Sequence, residues 1–289
     1  MRLDLTDRST NSPDISDYII IPPGYEYSSK DEVHSILDPD TKARLSVFLK
    51  RHLDMQRSAE YEYLSPEQIR RFPFIDLPTY KNEIFSRQQD LGIVADFLKN
   101  SFSKDKTLLE IGGWNSWLTK HLQSKGIQVI SADIFDDEFN GLGSRHFFES
   151  PGWLSVQTDI MKPVIYKTQF DAIVFNHCLQ FVTRPQELVM EYMKLLKPGG
   201  IMLLIGLDFF SNSEDRAKIT EAYQKECLEK HGFDLQFYPC KGYFDLKDFE
   251  LFKSMGFTFK SYTFSMASTL KRLLNGDKSG ILYWKQSLV

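Results

Sequence analysis

Cysteine is scarce in this chain of 289 residues: Cys178, Cys227 and Cys240 are the only three, and none forms a CxxC pair. Three scattered thiols build neither a disulfide framework nor a zinc site, and they predict reduced side chains in a cytoplasmic protein. Long apolar runs are also missing. The longest, such as Ile201 to Leu207, contain a glycine and have the length of a buried strand, well short of the ~18 residues of a membrane span. The opening MRLDLTDRSTNSPDISD is polar and acidic, without the basic start and apolar stretch of a signal peptide, so no membrane association is expected. Nor is there a basic excess. Thirty-five Lys and Arg stand against 39 Asp and Glu, a net charge of −4, which counts against a dedicated nucleic-acid binder and against a polyanionic substrate. No GxxxxGK[ST] stretch occurs, which removes the P-loop enzymes.

What is present is a composition of 42% hydrophobic and 26% charged residues, that of a folded protein. At ~150 residues per domain the length allows one large domain, or one with an appendage. Aromatic residues reach 14%, with 23 phenylalanines, enough for an aromatic core or for a large apolar pocket. The two parts of the chain read differently. Residues 1–100 show no strand pattern but two helical stretches, Asp40 to Leu53 and Lys81 to Asn100. In the second, Ile84, Leu91, Val94, Phe97 and Leu98 share a face. Ser65 before Pro66 is a helix cap with proline in the first turn. This segment is expected to be a mainly helical cap over the substrate side of a crevice.

Residues 101–289 alternate strand and helix, the pattern of a parallel sheet with crossover helices. Strands are expected at Thr107 to Ile111, Ile127 to Ala132, Trp153 to Thr158, Phe170 to Phe175, Ile201 to Ile205, Phe257 to Phe264 and Gly280 to Lys285. Helices are expected at Asn115 to Lys125, Pro185 to Leu196, Glu214 to His231 and Asp245 to Met255. In an open α/β sheet the loops at the carboxyl ends of the strands line the ligand crevice. Three features fall on such loops. Leu109-Glu110-Ile111-Gly112-Gly113-Trp114-Asn115-Ser116 is a strand entering a glycine pair and then a helix. Asp133 ends the second strand, 21 residues after Gly112, at a distance suited to a ribose diol. Asp159 ends the third, where a nucleobase edge would fall. Together they point to a nucleoside-containing ligand.

With these features, and with FDAIVFNHCLQFV at 170–182 and MKLLKPGGIMLLI at 193–205, the chain resembles the class I S-adenosylmethionine-dependent methyltransferases over residues 105–207, and more loosely on to 285. The resemblance implies an α/β fold: a Rossmann-like, seven-stranded, mostly parallel sheet with helices on both faces. It also implies S-adenosyl-L-methionine as cofactor. The glycine loop, with Glu110, Gly112, Gly113 and Trp114, would meet the methionine portion. Asp133 would bind the ribose hydroxyls, with Ile134 packing on adenine. Asp159 and Ile160 stand where the adenine amino edge is read, and Asn176 would position the cofactor's amino group. The family's three alternate glycines are Gly112, Trp114 and Ser116 here. Either Gly113 supplies the missing backbone freedom, or Trp114 blocks the methionine channel. A nicotinamide-dependent dehydrogenase would want glycine where this chain has Trp114 and Trp117.

His177, on the loop after the fourth strand, reads either as a general base for a hydroxyl or amine acceptor or as a structural histidine. Trp117 reads as core, Asp171 as structural, Asp136-Asp137-Glu138 as a solvated helix start, and Tyr61, Tyr63 and Tyr80 as core or as a substrate lid. The expected function is methyl transfer to a small-molecule acceptor. The alternative is a non-catalytic methyltransferase-like module with a degenerate glycine loop that binds a protein partner.

Overall fold

The apolar runs from Thr107 onward are strands buried on both faces, as a parallel sheet between two helical layers requires. The computed structural model describes residues 13–58, 63–99, 106–162, 164–232, 234, 236–263 and 275–287. The N-terminal part holds β1 (Ile19–Ile20), β2 (Glu26–Lys30), β3 (Val33–Leu37), α1 (Pro39–Ser58), α2 (Pro66–Arg71) and α3 (Lys81–Leu98). Then come β4 (Thr107–Ile111), α4 (Trp117–Gln123), β5 (Gln128–Asp133), β6 (Leu154–Thr158), β7 (Ile165–Tyr166), β8 (Phe170–Asn176) and α5 (Pro185–Met193). The last elements are β9 (Leu196–Phe210), α6 (Ser213–His231), β10 (Phe244–Asp245), α7 (Leu246–Ser254), β11 (Thr258–Ser261) and β12 (Lys278–Lys285).

The main sheet has the order β11-β12-β9-β8-β4-β5-β6-β3-β2, with β10 beside β9. Strands β4, β5, β6, β8 and β9 run parallel, and β12 is antiparallel to both β9 and β11. The seven expected strands are therefore β4, β5, β6, β8, β9, β11 and β12. Phe264, the expected end of the sixth, lies outside the described residues, and Leu196, expected as the end of a helix, instead begins β9, which runs through Gly200 into the expected strand. Side chains alternate between two cores. Leu109, Ile111, Ile173 and Phe175 face α5 and α7, which contribute Leu188, Val189, Phe249 and Phe252. Leu108, Ala172 and Val174 face α4 together with α2 and α3, which contribute Trp117, Ile69, Ile84 and Val94. Full burial of each such side chain contributes roughly 1.5–3 kcal/mol. The N-terminal helices thus complete one layer of the fold.

The N-terminal segment differs from the expectation that it holds no strands. β2 and β3 form a hairpin, and β3 pairs in parallel with β6, so the sheet reaches ten strands. Lys30 pairs with Val33, which leaves Asp31 and Glu32 as the whole loop, with φ of 49° and 62°. Two consecutive positive φ values are the type I′ hairpin turn, usually signalled by Asn-Gly or Asp-Gly. Asp31-Glu32 carries no glycine, and β2 is exposed along all five residues, so neither turn chemistry nor alternation marks it. Other local expectations hold. Ser65 and Gln68 form a capping box on α2 with Pro66 in its first turn. Asp171 ties the start of β8 to its neighbours, accepting from the Thr107 N–H at 3.0 Å, Lys106 at 2.9 Å and Lys197 at 2.7 Å.

From β4 the chain moves outward through β5 to β6, then returns to the other side of β4 as β8. The order reverses at β4, which puts the ligand crevice of an open α/β sheet above the carboxyl ends of β4 and β8.

Candidate functional site

β4 delivers Glu110 and Ile111 into the loop Gly112 to Ser116. Gly112 has φ +83°, and a β-carbon there would fall 2.6 Å from the Asn176 carbonyl oxygen, so this position needs glycine for both conformation and space. Gly113 differs from the expected source of backbone freedom. It takes no left-handed conformation, and its missing side chain matters because a β-carbon would fall 2.0 Å from Ser131 Oγ on β5. The left-handed turn falls on Trp114 (φ 41°) and Ser116 (φ 61°), at about 1–2 kcal/mol for each non-glycine residue. The Trp114 N–H donates to Asp133 Oδ2 at 2.8 Å, which holds this turn. Its indole stands edge-on to Phe72, with centroids 5.5 Å apart, and beneath the Arg87 guanidinium, 5.5 Å from the ring. Trp117 is fully buried in the core, as expected.

Glu110 is wholly buried below this loop. It accepts from Asn176 Nδ2 at 2.7 Å, from Ser131 Oγ at 3.3 Å and from Thr119 Oγ1. Burial pushes its carboxyl up to about 7. Glu110 therefore acts on the crevice through Asn176, whose Oδ1 accepts from Arg87 Nη1 at 3.4 Å. Asp133 is 8% exposed, and its Oδ1 accepts the Phe135 N–H at 3.0 Å. Burial raises its pKa, and the backbone donors act against that rise.

The opposite end of the crevice is built differently. Asp159 Oδ1 accepts from the Met161 N–H at 2.9 Å and from the Tyr238 hydroxyl, and Oδ2 from Thr41 Oγ1 of α1 at 3.4 Å. Ile134 packs with Leu37, Leu45, Phe237 and Tyr238, whereas Ile160 belongs to the sheet core and is not brought beside it. Arg44 of α1 donates to the Phe237 carbonyl at 3.0 Å and stacks over its ring. This end is thus roofed by α1 and the 236–240 stretch. Asp136 to Glu138 starts no helix; Asp137 Oδ1 instead accepts the N–H groups of Phe139 (3.1 Å) and Asn140 (2.7 Å) in a turn.

Beyond Asn176, His177 sits at φ 52° with its Nε2 2.6 Å from Asp90 Oδ2 on α3. Asp90 is fully buried and also accepts from the Tyr262 hydroxyl, which in turn accepts the Gly206 N–H at 3.0 Å. Burial first, and the Arg87 charge second, hold the His177 pKa below its ordinary 6.5. The imidazole covers Gly206, where a β-carbon would fall 2.0 Å from Nδ1. Gly206 also lines a cleft of about 370 Å³ beside the ends of β8 and β9, walled by Phe181, Phe210, Arg216, Tyr223 and Tyr243.

Arg87, Asp90, Tyr238 and Tyr262 were not among the residues expected from sequence. A signal for the first existed: Ile84, Arg87, Leu91, Val94 and Leu98 follow a 3-4-3-4 spacing, so Arg87 interrupts the apolar stripe of α3. The tyrosines named as a lid do not reach the β8 loop through their described contacts. Tyr63 donates to Gln56 at 2.9 Å and packs on Phe139, Tyr80 packs in the core, and Tyr61 lies outside the described residues.

The glycine loop also carries unused hydrogen-bonding capacity. Among the described residues, no partner meets either amide atom of Asn115 or the Ser116 hydroxyl, and both residues are fully buried. Buried polar groups are normally satisfied, so a loop of this kind at a switch point suits a polar ligand. The sequence profile described as "Methyltransferase domain" matches residues 109–204, which run from the β4 end across Asp133, Asp159 and His177 into β9. Residues 109–204 therefore match a methyltransferase domain. The malonyl-[acyl-carrier protein] O-methyltransferase of Halalkalibacterium halodurans is 26% identical over 142 residues, which are 47% of this chain and 52% of that protein. The chain thus spans about half the length of this curated relative. Among solved structures, the CurJ carbon methyltransferase is 18% identical, covering 86% of this chain and 68% of its own, with a TM-score of 0.48. The magnesium protoporphyrin IX methyltransferase of Synechocystis, solved with bound S-adenosylhomocysteine, is 14% identical, covering 81% and 100%, with a TM-score of 0.47. Within residues 109–204, the residues present fit an S-adenosylmethionine cofactor: a carboxylate fixed at the β5 end, a second at the β6 end and a loop between β4 and α4 with unsatisfied polar atoms. Among the described residues, no helix is long and apolar enough to cross a membrane.

Proposed function

We propose that the protein transfers a methyl group from S-adenosyl-L-methionine to a small-molecule acceptor. The observation that carries this reading is Asp133, a nearly buried carboxylate aimed by the Trp114 and Phe135 N–H groups beside a glycine loop whose own polar atoms lack partners. The cofactor, when bound, supplies an electrophilic methyl group on a sulfonium. What remains for the protein is to hold donor and nucleophile in line and to exclude water. Gly112, Gly113 and Trp114 let the cofactor approach the backbone, Asp133 accepts the ribose hydroxyls, and Ile134 with Asp159 borders the base. Glu110 holds Asn176 in place, and Ile160 supports the loop from the core.

The cleft at Gly206 is the acceptor site in this reading, with His177 as the catalytic residue. Asp90 accepts at Nε2, so Nε2 carries the proton and Nδ1 the lone pair. The lowered pKa keeps the ring neutral near pH 7, ready to take a proton from a hydroxyl or ammonium acceptor at Nδ1. Asp90 is a positioning residue, fixed in turn by Tyr262.

Calorimetric titration of the protein with S-adenosylhomocysteine tests the reading, with saturable one-to-one binding expected. Trp114 in the loop favours the alternative, a non-catalytic module that binds a protein partner, and absence of binding would rule out the methyl-transfer reading.

A further inference from the structure

Arg87 has no task in the function proposed above, yet it reaches both Trp114 of the glycine loop and Asn176 at the end of β8. It projects from α3 with a side chain only 11% exposed. Its guanidinium lies 5.5 Å from the Trp114 ring and 5.9 Å from the Trp117 ring. Nη1 reaches Asn176 Oδ1 at 3.4 Å, and Nη2 reaches Glu83 Oε1 at 3.2 Å. Both contacts are long for hydrogen bonds to a charged donor, which are usually about 2.7–2.9 Å when an anion accepts. The buried Nε meets no acceptor among the described residues. A guanidinium carries five N–H donors in one rigid plane, and among the described residues two of Arg87's meet a protein acceptor, which leaves three.

A charged group kept out of water with most of its donors unused is costly unless an anion completes it. Glu83 is a poor candidate for that anion, because its side chain is 49% exposed and it meets only one nitrogen. The position of Arg87 narrows the choice further. It stands over Trp114, between the Gly112 loop and Asn176 at the end of β8. In the cofactor orientation set by Asp133 at the ribose, this is the amino-acid end of the ligand.

We propose that Arg87, seated on the Trp114 indole, binds the α-carboxylate of the cofactor's methionine portion. The inference rests on the cofactor reading above and adds a residue from the N-terminal segment to it. It also gives Trp114 a task. The indole at the family's second glycine position is the platform that fixes the guanidinium plane, and a flat cation over an aromatic face contributes about 0.5–2 kcal/mol. Lysine would keep the charge but lose both the stacked plane and the two-pronged grip on a carboxylate.

The test uses two nucleosides that differ in the amino-acid portion. S-adenosylhomocysteine carries the carboxylate, and 5′-methylthioadenosine lacks the amino-acid group while keeping adenine, ribose and sulfur. Affinities of both are measured calorimetrically for the native protein, Arg87→Met and Arg87→Lys. Arg87→Met is expected to weaken S-adenosylhomocysteine by about ten- to a hundredfold and to leave 5′-methylthioadenosine within twofold. Arg87→Lys should fall between native and Arg87→Met for S-adenosylhomocysteine. Equal losses for both nucleosides, or no loss for S-adenosylhomocysteine, would overturn the assignment while leaving the cofactor site intact. A native protein that binds neither nucleoside would overturn the cofactor reading itself, and this inference with it. A misfolded variant is recognised by its loss of 5′-methylthioadenosine binding together with a lowered melting temperature, and Arg87→Lys then decides.

Discussion

The two ends of the crevice present the same chemical object, an aspartate at the carboxyl end of a strand, in opposite ways. Asp133 is held by N–H groups of its own neighbourhood, Trp114 on the adjacent loop and Phe135 two residues on. Asp159 is held mainly by side chains from distant parts of the chain, Tyr238 and Thr41. Backbone donors are fixed by the fold and cannot swing away; a tyrosine on the 236–240 stretch can be displaced by a competing donor. The Gly112 end is therefore preorganised, and the Asp159 end is closed by groups that a nucleobase would have to share or move.

Asp133→Ala should break this contrast most severely. S-adenosylhomocysteine binding should weaken by about ten- to a hundredfold. The stranded N–H groups of Trp114 and Phe135 should also lower stability by about 1–3 kcal/mol, read as a fall in melting temperature. Unchanged affinity would remove Asp133 from the ribose.

A second effect concerns Glu110 beneath the same end. Its carboxyl is pushed from 4.5 to about 7 by burial. The unfolded chain gives up this proton near 4.5, whereas the folded chain keeps it until about 7. The folded state's advantage is therefore complete below pH 4.5 and is lost as pH rises to 7, by at most about 3 kcal/mol at ~1.4 kcal/mol per pKa unit. In Glu110→Gln, urea denaturation between pH 4.5 and 7.5 should lack this slope. A slope equal to the native one would assign it to another group.

Trp114→Gly should be milder. It relieves a left-handed tryptophan but removes the seat of Arg87, so S-adenosylhomocysteine affinity should fall about three- to tenfold, in line with a cation–π contact of ~1 kcal/mol. Binding that appears only in the variant would mean that the native indole blocks the methionine channel. Smallest of all should be Tyr238→Phe, which frees Asp159 of a competing hydroxyl. A rise in affinity of about two- to fivefold is expected, and a fall would show instead that Tyr238 orients the carboxylate.

The preorganised end was also the legible one. Strands β4, β5, β6 and β8 and the Ile201 to Ile205 part of β9 read as apolar runs because both of their faces are buried, and Asp133 followed from its spacing after Gly112. The other end depends on contacts between residues more than a hundred positions apart, such as Thr41 with Asp159, which no local pattern encodes. Arg87 and Asp90 were hidden for a different reason. Charged residues on a helix ordinarily face water, and only the 3-4-3-4 spacing of Ile84, Arg87, Leu91, Val94 and Leu98 betrays Arg87 as an exception. The expectation for Gly113 failed because a glycine can be required for space rather than for dihedral angle. The β2–β3 hairpin was missed because Asp31 and Glu32 adopt a glycine-type turn without glycine.

That hairpin has a consequence for how the chain can be cut. Its turn residue Glu32 pairs at 2.5 Å with Arg145, a side chain only 1% exposed that also donates to the carbonyls of Trp153 (2.8 Å) and Pro151 (3.0 Å). Truncation before residue 38 would take the carboxylate from a buried cation and at once bare the edge of β6, whose ladder groups would then face any passing strand. A fragment trimmed in this way would carry an adhesive edge and a buried guanidinium deprived of its Glu32 carboxylate. Material that precipitates after such trimming would report on the cut, and the intact chain is the unit to purify.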